Sequence, residues 1–378
     1  MTYDIFIIGG GINGVGIARD ASGRGLKVGL SEQGDLGSQT SSWSTKLIHG
    51  GIRYLEDYQF KLVRESLKER EVIKNIASHI TKPIRFVMPH VKTIRPIWMI
   101  RFGLILYDFL GGVISLPKSK FINLENDYNV NPIKNKYTVG YEYSDLQIDD
   151  SRLVLINAQD AIYRGADFFI NTKVESAKRK NQLWEIKFND GQIKYSKILI
   201  NATGPWTVDT IKNVCNIETN KSLRLIQGSH IVLNKLYKGD QAYILQQPDK
   251  RIVFMIPYLD KYTLIGTTDK EVNDYQKPKI TDEEKHYLIN ACNMFLKEHI
   301  SEDGIVWSYS GIRPLVNDFN KQVSKISRDY DFEIDDKGPV LLSIFGGKLT
   351  TYRKLSEHVL ESISKYILID KKTWTHSA

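Results

Sequence analysis

With 378 residues, of which 42% are hydrophobic and 25% charged, the chain reads as a folded protein too large for one ordinary core, which excludes disorder and predicts two lobes. Its two cysteines, Cys215 and Cys292, cannot supply a disulfide framework and lie in no Cys-His or Cys-x-x-Cys pattern, so both are expected to be buried apolar side chains in a reducing cytoplasm. The net charge of +8 suits an acidic partner or reflects background usage; scattered lysines with no aromatic-interleaved Lys/Arg block argue against nucleic acid and leave anionic lipid or a phosphorylated metabolite.

Met1–Asp4 has neither the charged nor the apolar region of a signal peptide. "YDIFIIGGGINGVGIARDASGRGLKVGLSE" then reads as an apolar strand, a glycine turn, a helix and a second strand ending at Glu32. Gly9 and Gly11 would permit the tight turn and the approach of backbone to a pyrophosphate, while Gly14 would let the helix lie against the sheet. The helix N-terminus favours anionic phosphates through its free amides and its macrodipole. Ala18, Gly25 and Val28 complete the pattern, and Glu32 is placed to accept from an adenosine ribose. A lone glycine motif would be weak; the whole βαβ unit predicts dinucleotide binding.

That unit leaves NAD and FAD open, and the next segment separates them. Instead of another βα unit, Ser38–Ser44 and Lys46–Gly51 form a polar loop and turn, suited to a cofactor that stays bound and runs across the domain. "KILINATGPWTVDTI" adds a buried strand ending at Ala202, Thr203 and Gly204, a second close backbone approach. "GPVLLSIFGGKLTTYRKLSEHVLESI" adds a last strand, Gly346 and Gly347, then a helix beginning near Lys348 whose N-terminus would face a flavin's pyrimidine carbonyls. Ordinary strand-turn-helix scaffolding could explain either segment alone. With the first motif they predict FAD.

Residues 93–120, "TIRPIWMIRFGLILYDFLGGVISLPKSK", are apolar and aromatic but interrupted by Arg95, Arg101 and Asp108, so they cannot span a bilayer. Two placements fit: a helix buried under a substrate lobe, or one in the membrane interface with Trp98, Phe102 and Tyr107 near the headgroups and Arg95, Arg101 and Lys118 on anionic lipid. No zinc spacing, Ser-His-Asp order or nucleotide-triphosphate loop is present, so no metal is expected.

The segments "GGGINGVGIARDASGRGL", "SSWSTKLIHGGIRYLE", "RPIWMIRFGLILYDFLG", "EYSDLQIDDSRLVLINAQDA", "NATGPW", "LIQGSHIVL", "AYILQQPDKRIVFMIP", "IGTTD", "YSGIRPL", "SRDYDFEI" and "FGGKLTTYRKL" resemble the FAD-dependent glycerol-3-phosphate dehydrogenases, the quinone-linked class. The resemblance covers nearly all of residues 3–360. It implies an α/β fold: a glutathione-reductase-type FAD-binding domain with an α+β antiparallel-sheet substrate lobe. The nucleotide motifs put the FAD domain in 1–80, 148–212 and 336–370; alternating strand patterns put the substrate lobe in 81–147 and 213–335. Members of the family usually continue into a C-terminal helical domain, so 371–378 reads as the start of that region, and the dimer and membrane contacts the family assigns to it are in doubt for this chain. A homodimer and peripheral attachment to the cytoplasmic face of the membrane remain the family-level expectation.

The same segments extend the expected cofactor set to Ile12, Asn13, Gln33, Ser41, Ser42, Lys46, Leu47, Gly50 and Gly51, then Val174, Leu349 and Thr350. The implied reaction oxidises sn-glycerol 3-phosphate to dihydroxyacetone phosphate, with quinone as acceptor. It needs a phosphate cradle, a base for the C2 hydroxyl, and a hydride-donating carbon over the flavin. Arginine suits the cradle because its planar fork binds phosphate at two points and keeps its charge. Arg53, Arg313 and Arg328 stand in matching motifs, and Lys348 adds a compact cation; each could instead be an ion-paired structural residue. His49 or His230 would be the base, with His49 favoured because it adjoins the Ser/Thr loop and Arg53, and Tyr54 would orient substrate. Two rival readings are an oxidase passing electrons to oxygen and making peroxide, and a non-catalytic FAD-binding subunit.

Overall fold

The first strand, β1 (Thr2–Ile8), sends Ile5 and Ile7 into one core cluster and Phe6 and Ile8 into another, all buried, which is why the run is apolar on nearly every residue. The computed structural model describes residues 2–112, 115–125, 131–316 and 329–378; Arg328, one of the expected phosphate ligands, lies outside the described residues. Further strands are β2 (Val28–Ser31), β3 (Leu47–Ile48), β4 (Thr81–Pro89), β5 (Lys120–Asn123), β6 (Val139–Ile148), β7 (Asp167–Phe169), β8 (Val174–Lys180), β9 (Leu183–Phe188) and β10 (Ile193–Asn201). After them come β11 (Leu223–Asn234), β12 (Ala242–Gln246), β13 (Ile252–Tyr258), β14 (Tyr262–Gly266), β15 (Lys270–Glu271), β16 (Ile305–Val316), β17 (Tyr330–Asp335) and β18 (Leu341–Gly346). The helices are α1 (Ile12–Gly23), α2 (Phe60–Ile76), α3 (Ile97–Leu110), α4 (Asp150–Tyr163), the single turn α5 (Thr207–Asp209), α6 (Asp282–Asn293) and α7 (Tyr352–Ile363).

One sheet runs β17-β18-β10-β1-β2-β7, parallel from β18 to β7, with β9 and β8 attached through β10. Helices α1, α4 and α7 bury its one face through Val15, Ala18, Val154, Leu355 and Val359. Trp184, Ile186 and Phe188 of β9 cover the other. A second sheet runs β15-β11-β14-β13-β12-β4-β6-β3, with β16 on β11 and β5 on β6. Its pairings are antiparallel except β12 with β4, the pair that joins residues 81–89 to 242–246. Helices α2 and α3 pack on one face against Phe86, Tyr143 and Phe254, and α6 on the other against Ile231, Val253 and Met255.

Two strands depart from the expected division. Leu47–Ile48, within 1–80, pairs with β6 of the second sheet. Tyr330–Asp335, within 213–335, pairs antiparallel with β18 at the edge of the first sheet. The connection from β17 to β18 is short enough only for a hairpin, and a hairpin returns the chain to its neighbour; the alternating pattern of YDFEID is the same in either sheet.

Helix α3 also corrects an expectation. Its Ile100, Leu104 and Tyr107 are buried, while Trp98, Phe102, Ile105 and Phe109 are exposed, so Tyr107 faces the core and not a headgroup layer. Spacings of three and four residues put these two sets on opposite faces of one helix. Arg95 is likewise engaged internally, with Glu56 and with Gln246. Among the described residues no helix is long and apolar enough to cross a membrane. Cys215 and Cys292 are both buried and free, and burial pushes the Cys215 thiol up to about 12 and the Cys292 thiol higher, so neither is a nucleophile.

Candidate active site

The glycine turn after β1 opens a cavity of about 820 Å³ whose wall draws on both sheets. Gly9 has φ +111°, and a Cβ there would lie 2.6 Å from the carbonyl oxygen of Ala202, so two strand ends approach as only glycine permits. A Cβ on Gly14 would lie 1.9 Å from the Gly9 oxygen, which seats α1 directly behind the turn. The α1 N-terminus has no acidic residue in its first turn, and Ile12 N–H donates to Ser41 Oγ at 3.0 Å. Folding thus brings the Ser/Thr loop over the helix end. Glu32 accepts from Gly10 N–H at 2.7 Å and from Gly34 N–H at 2.8 Å, one on each oxygen; each oxygen keeps a second lone pair for a hydroxyl.

Around this cradle the wall includes Gly11, Asn13, Gln33, Leu47, Gly51, Val174, Ala202, Thr203, Gly204, Gly347, Leu349 and Thr350. Four expected cofactor residues stand back from it. Gly14 is the packing contact just described; Ser42 turns its carbonyl to the Lys46 ammonium at 3.2 Å. Lys46 is buried against Asp150 at 2.6 Å, and Gly50 faces Leu67 and Tyr107. The last helix begins at Tyr352, after a 3-10 turn over Leu349–Thr351, later than the expected start near Lys348.

His49, Arg53, Tyr54, His230, Arg313 and Lys348 all line the same cavity. Lys348 Nζ sits 4.5 Å from the centre of the Tyr54 ring, a cation–π contact. Arg313 donates to Asp269 Oδ1 at 2.5 Å, to Thr267 Oγ1 at 2.6 Å and to the Thr268 carbonyl at 3.2 Å. Gly228 makes room for it: a Cβ there would lie 2.1 Å from the guanidinium. His230 is buried, stacked on Tyr309 at 4.7 Å, with Nε2 on Thr45 Oγ1 at 3.0 Å and Nδ1 without a hydrogen-bond partner among the described residues. Burial, then Arg313, then Lys46 hold its pKa well below the usual imidazole value, so the ring is neutral. The His49 ring lies 6.3 Å from that of Phe254.

Sequence reasoning missed Asp269, Thr267, Phe254 and Trp43 on this wall. Asp269 and Thr267 stand in "IGTTD" and Phe254 in "RIVFMIP", both quoted for the resemblance, but strand alternation does not say which face meets the cavity.

The wall fits a flavin dinucleotide on its own chemistry. Gly9 and Gly347, the latter at φ +104°, leave backbone where side chains would intrude. The α1 amides suit a pyrophosphate. Asn13 Oδ1 is buried without a hydrogen-bond partner among the described residues, an acceptor that a ligand donor would satisfy.

A parallel dinucleotide-binding sheet joined to a mixed sheet over one cavity defines a flavoprotein oxidoreductase. Residues 4–353 match the family of FAD dependent oxidoreductases, DAO. Across all of this chain and 74% of the relative, 48% of residues are identical to a glycerol-3-phosphate dehydrogenase of Pseudomonas aeruginosa. A D-erythritol 1-phosphate dehydrogenase of Brucella abortus is 44% identical over 100% of this chain and 76% of its own. The crystal structure of the Bacillus halodurans glycerol-3-phosphate dehydrogenase complexed with FAD superposes with a TM-score of 0.77 at 28% identity, covering 100% of this chain and 67% of that one. The chain belongs to the FAD dependent oxidoreductase family and, within it, to the glycerol-3-phosphate dehydrogenases.

Proposed function

We propose that the chain oxidises sn-glycerol 3-phosphate to dihydroxyacetone phosphate in this cavity, with FAD as cofactor and a quinone as final acceptor. Bound FAD supplies the acceptor for the two electrons and the hydrogen that leave C2. Gly9, Gly11, Ser41, Asn13, Glu32 and Gly347 hold it along the wall. Arg53, Arg313 and Lys348 bind the phosphate, and Tyr54, carrying Lys348 on its ring, orients it. Three cations lining one cavity, one of them paired with Asp269, suit a dianion better than a neutral polyol. Their presence in the cavity that also holds an imidazole and the glycine cradle is the observation that supports the reading most.

His49 takes the C2 hydroxyl proton. His230 suits that role less, because burial and then the nearby Arg313 and Lys46 disfavour the imidazolium a base must become. His230 instead borders the pocket as a neutral ring.

A four-carbon polyol phosphate is a second reading, favoured by the 44% identity to the erythritol phosphate enzyme. Anaerobic addition of glycerol 3-phosphate, D-erythritol 1-phosphate or glycerol to the flavin-loaded protein separates the readings. Glycerol 3-phosphate should bleach the flavin fastest and glycerol far more slowly, since binding energy remote from C2 aligns the reacting carbon. Equal rates with glycerol would remove the cations from the site.

The membrane surface is the proposed place of electron delivery. Trp98, Phe102, Ile105 and Phe109 make an exposed apolar stripe on α3 beside Arg101, and the net charge of +8 favours anionic lipid. Binding to anionic vesicles, lost when Trp98 and Phe102 become Ser, tests this. Rapid peroxide production without reduction of a quinone dye would favour oxygen as acceptor instead.

A further inference from the structure

Backbone amides that leave a strand must find partners elsewhere. β3 ends at Ile48, and two residues on Gly50 N–H donates to the Tyr107 hydroxyl at 2.8 Å. Tyr107 comes from α3 and is buried. Its hydroxyl donates in turn to the Asp145 carboxylate on β6, at 2.9 and 3.0 Å from the two oxygens. Arg70 of α2, also buried, holds that carboxylate at 2.9 Å and the Ser144 carbonyl at 2.9 Å. With one proton to give and one amide to receive, the hydroxyl is fixed in orientation from both sides.

The contact leaves little slack. A Cβ on Gly50 would lie 2.6 Å from Leu67 and 2.8 Å from the Tyr107 ring, and one on Gly51, at φ +74°, would lie 2.2 Å from the Tyr54 ring. The chain therefore passes between Tyr107 and Tyr54 with His49 immediately before the two glycines and Arg53 two residues after them. His49 and Arg53 reach the cavity wall, whereas Tyr107, Asp145 and Arg70 do not.

We infer that Tyr107 is a positioning residue for substrate oxidation: through a hydroxyl oriented by Asp145 and Arg70, α3 sets the backbone at Gly50 and with it the placement of His49 and Arg53. The inference rests on the proposed reading of the cavity. It also gives α3 two jobs on opposite faces, since the helix carrying the exposed Trp98–Phe109 stripe carries the hydroxyl that fixes the catalytic segment.

The test is Tyr107→Phe in the flavin-loaded full chain, with FAD content measured first. Hydrogen–deuterium exchange of the peptide spanning residues 47–56 should rise about tenfold, the usual weight of one buried hydrogen bond, while peptides from β10 and β18 stay at parent values. The limiting rate of anaerobic flavin reduction by glycerol 3-phosphate, per bound flavin, should fall about tenfold or more, because a small misplacement of reacting groups is costly. Parent exchange in 47–56, or a parent limiting rate per bound flavin, would overturn the inference. Should the parent protein itself not be reduced by the substrate, the proposed reaction fails, and the exchange measurement still decides whether Tyr107 holds the segment. If Tyr107→Phe cannot be purified folded, Asp145→Asn, which keeps the Tyr107 hydroxyl on Gly50 but removes the carboxylate charge that orients that hydroxyl and also faces the Gly50 amide, should shift both readouts in the same direction; no shift would overturn the inference.

Discussion

Replacing Arg313 by Ala should weaken substrate binding by more than the loss of one cation. The guanidinium is held on Asp269 at 2.5 Å and Thr267 at 2.6 Å, so in the proposed complex it both attracts the phosphate and neutralises a carboxylate that is itself on the cavity wall. Hydrogen bonds to charged groups contribute about 1.5–3 kcal/mol each, and truncating one member of a buried charged pair costs about 2–5 kcal/mol. The Asp269 side chain is only 10% exposed, so water recovers little. Taking about 3–5 kcal/mol together, the apparent Kd for glycerol 3-phosphate should rise roughly 150- to 5000-fold. A second substitution, Asp269→Asn, should return about 1–2 kcal/mol of this by removing the carboxylate's repulsion. The assay is the substrate dependence of anaerobic flavin reduction in parent, single and double variants. An Arg313→Ala protein within about threefold of the parent, or a double variant that binds no better than the single, would refute the reasoning.

His49→Asn should lower flavin reduction about a hundredfold or more and remove the acidic limb of its pH profile, because a base must be neutral to accept a proton; a near-parent rate with the limb intact would transfer the role to His230. Glu32→Ala should weaken FAD retention more than turnover per bound flavin, since its oxygens hold Gly10 and Gly34 and, in the proposed complex, would meet the cofactor's ribose far from the reacting ring; ultrafiltration followed by flavin absorbance reads both. His230, neutral in the fold, ties stability to pH. Its depressed folded pKa means the unfolded chain binds the extra proton, so its stabilisation is present above about pH 6.5 and diminishes by about 1 kcal/mol between pH 6.5 and 5.5. Asp145, raised by burial to about 6, acts with the opposite sign, but it is common to parent and His230→Gln, so the difference in their denaturation midpoints across that pH interval isolates the histidine. A difference that does not change with pH would contradict its buried neutral state.

Much of the nucleotide half was legible because its signals are local. A β-strand's period, glycines at a turn and an acidic residue closing the next strand act over some thirty residues, and the turn's steric demand at Gly9 admits almost no other side chain. The substrate half was less legible. Its strands alternate alike whichever sheet they join, so β17 was assigned to the wrong sheet, and alternation marked Phe254 and Asp269 as strand or loop residues without saying that they reach the cavity. For Tyr107 the sequence leaves both a headgroup layer and the core open, because an aromatic in an apolar helix suits a membrane interface as well as a core; the buried Asp145 and Arg70 that decide the matter are 38 and 37 residues away in sequence.

By itself the sequence determined the dinucleotide turn, the absence of a disulfide framework and the set of cations and imidazoles from which a phosphate site could be built, since each follows from residue identity and short-range sterics. Only the tertiary structure decided which of these meet. Pairing of β11 with β16 sets Arg313 against Gly228 and Asp269, burial turns His230 into a neutral wall, and the face of α3 that packs on α2 and β6 delivers Tyr107 to Gly50. Such meetings depend on long-range packing, in which burial and partner charge, not local propensity, set where each side chain points.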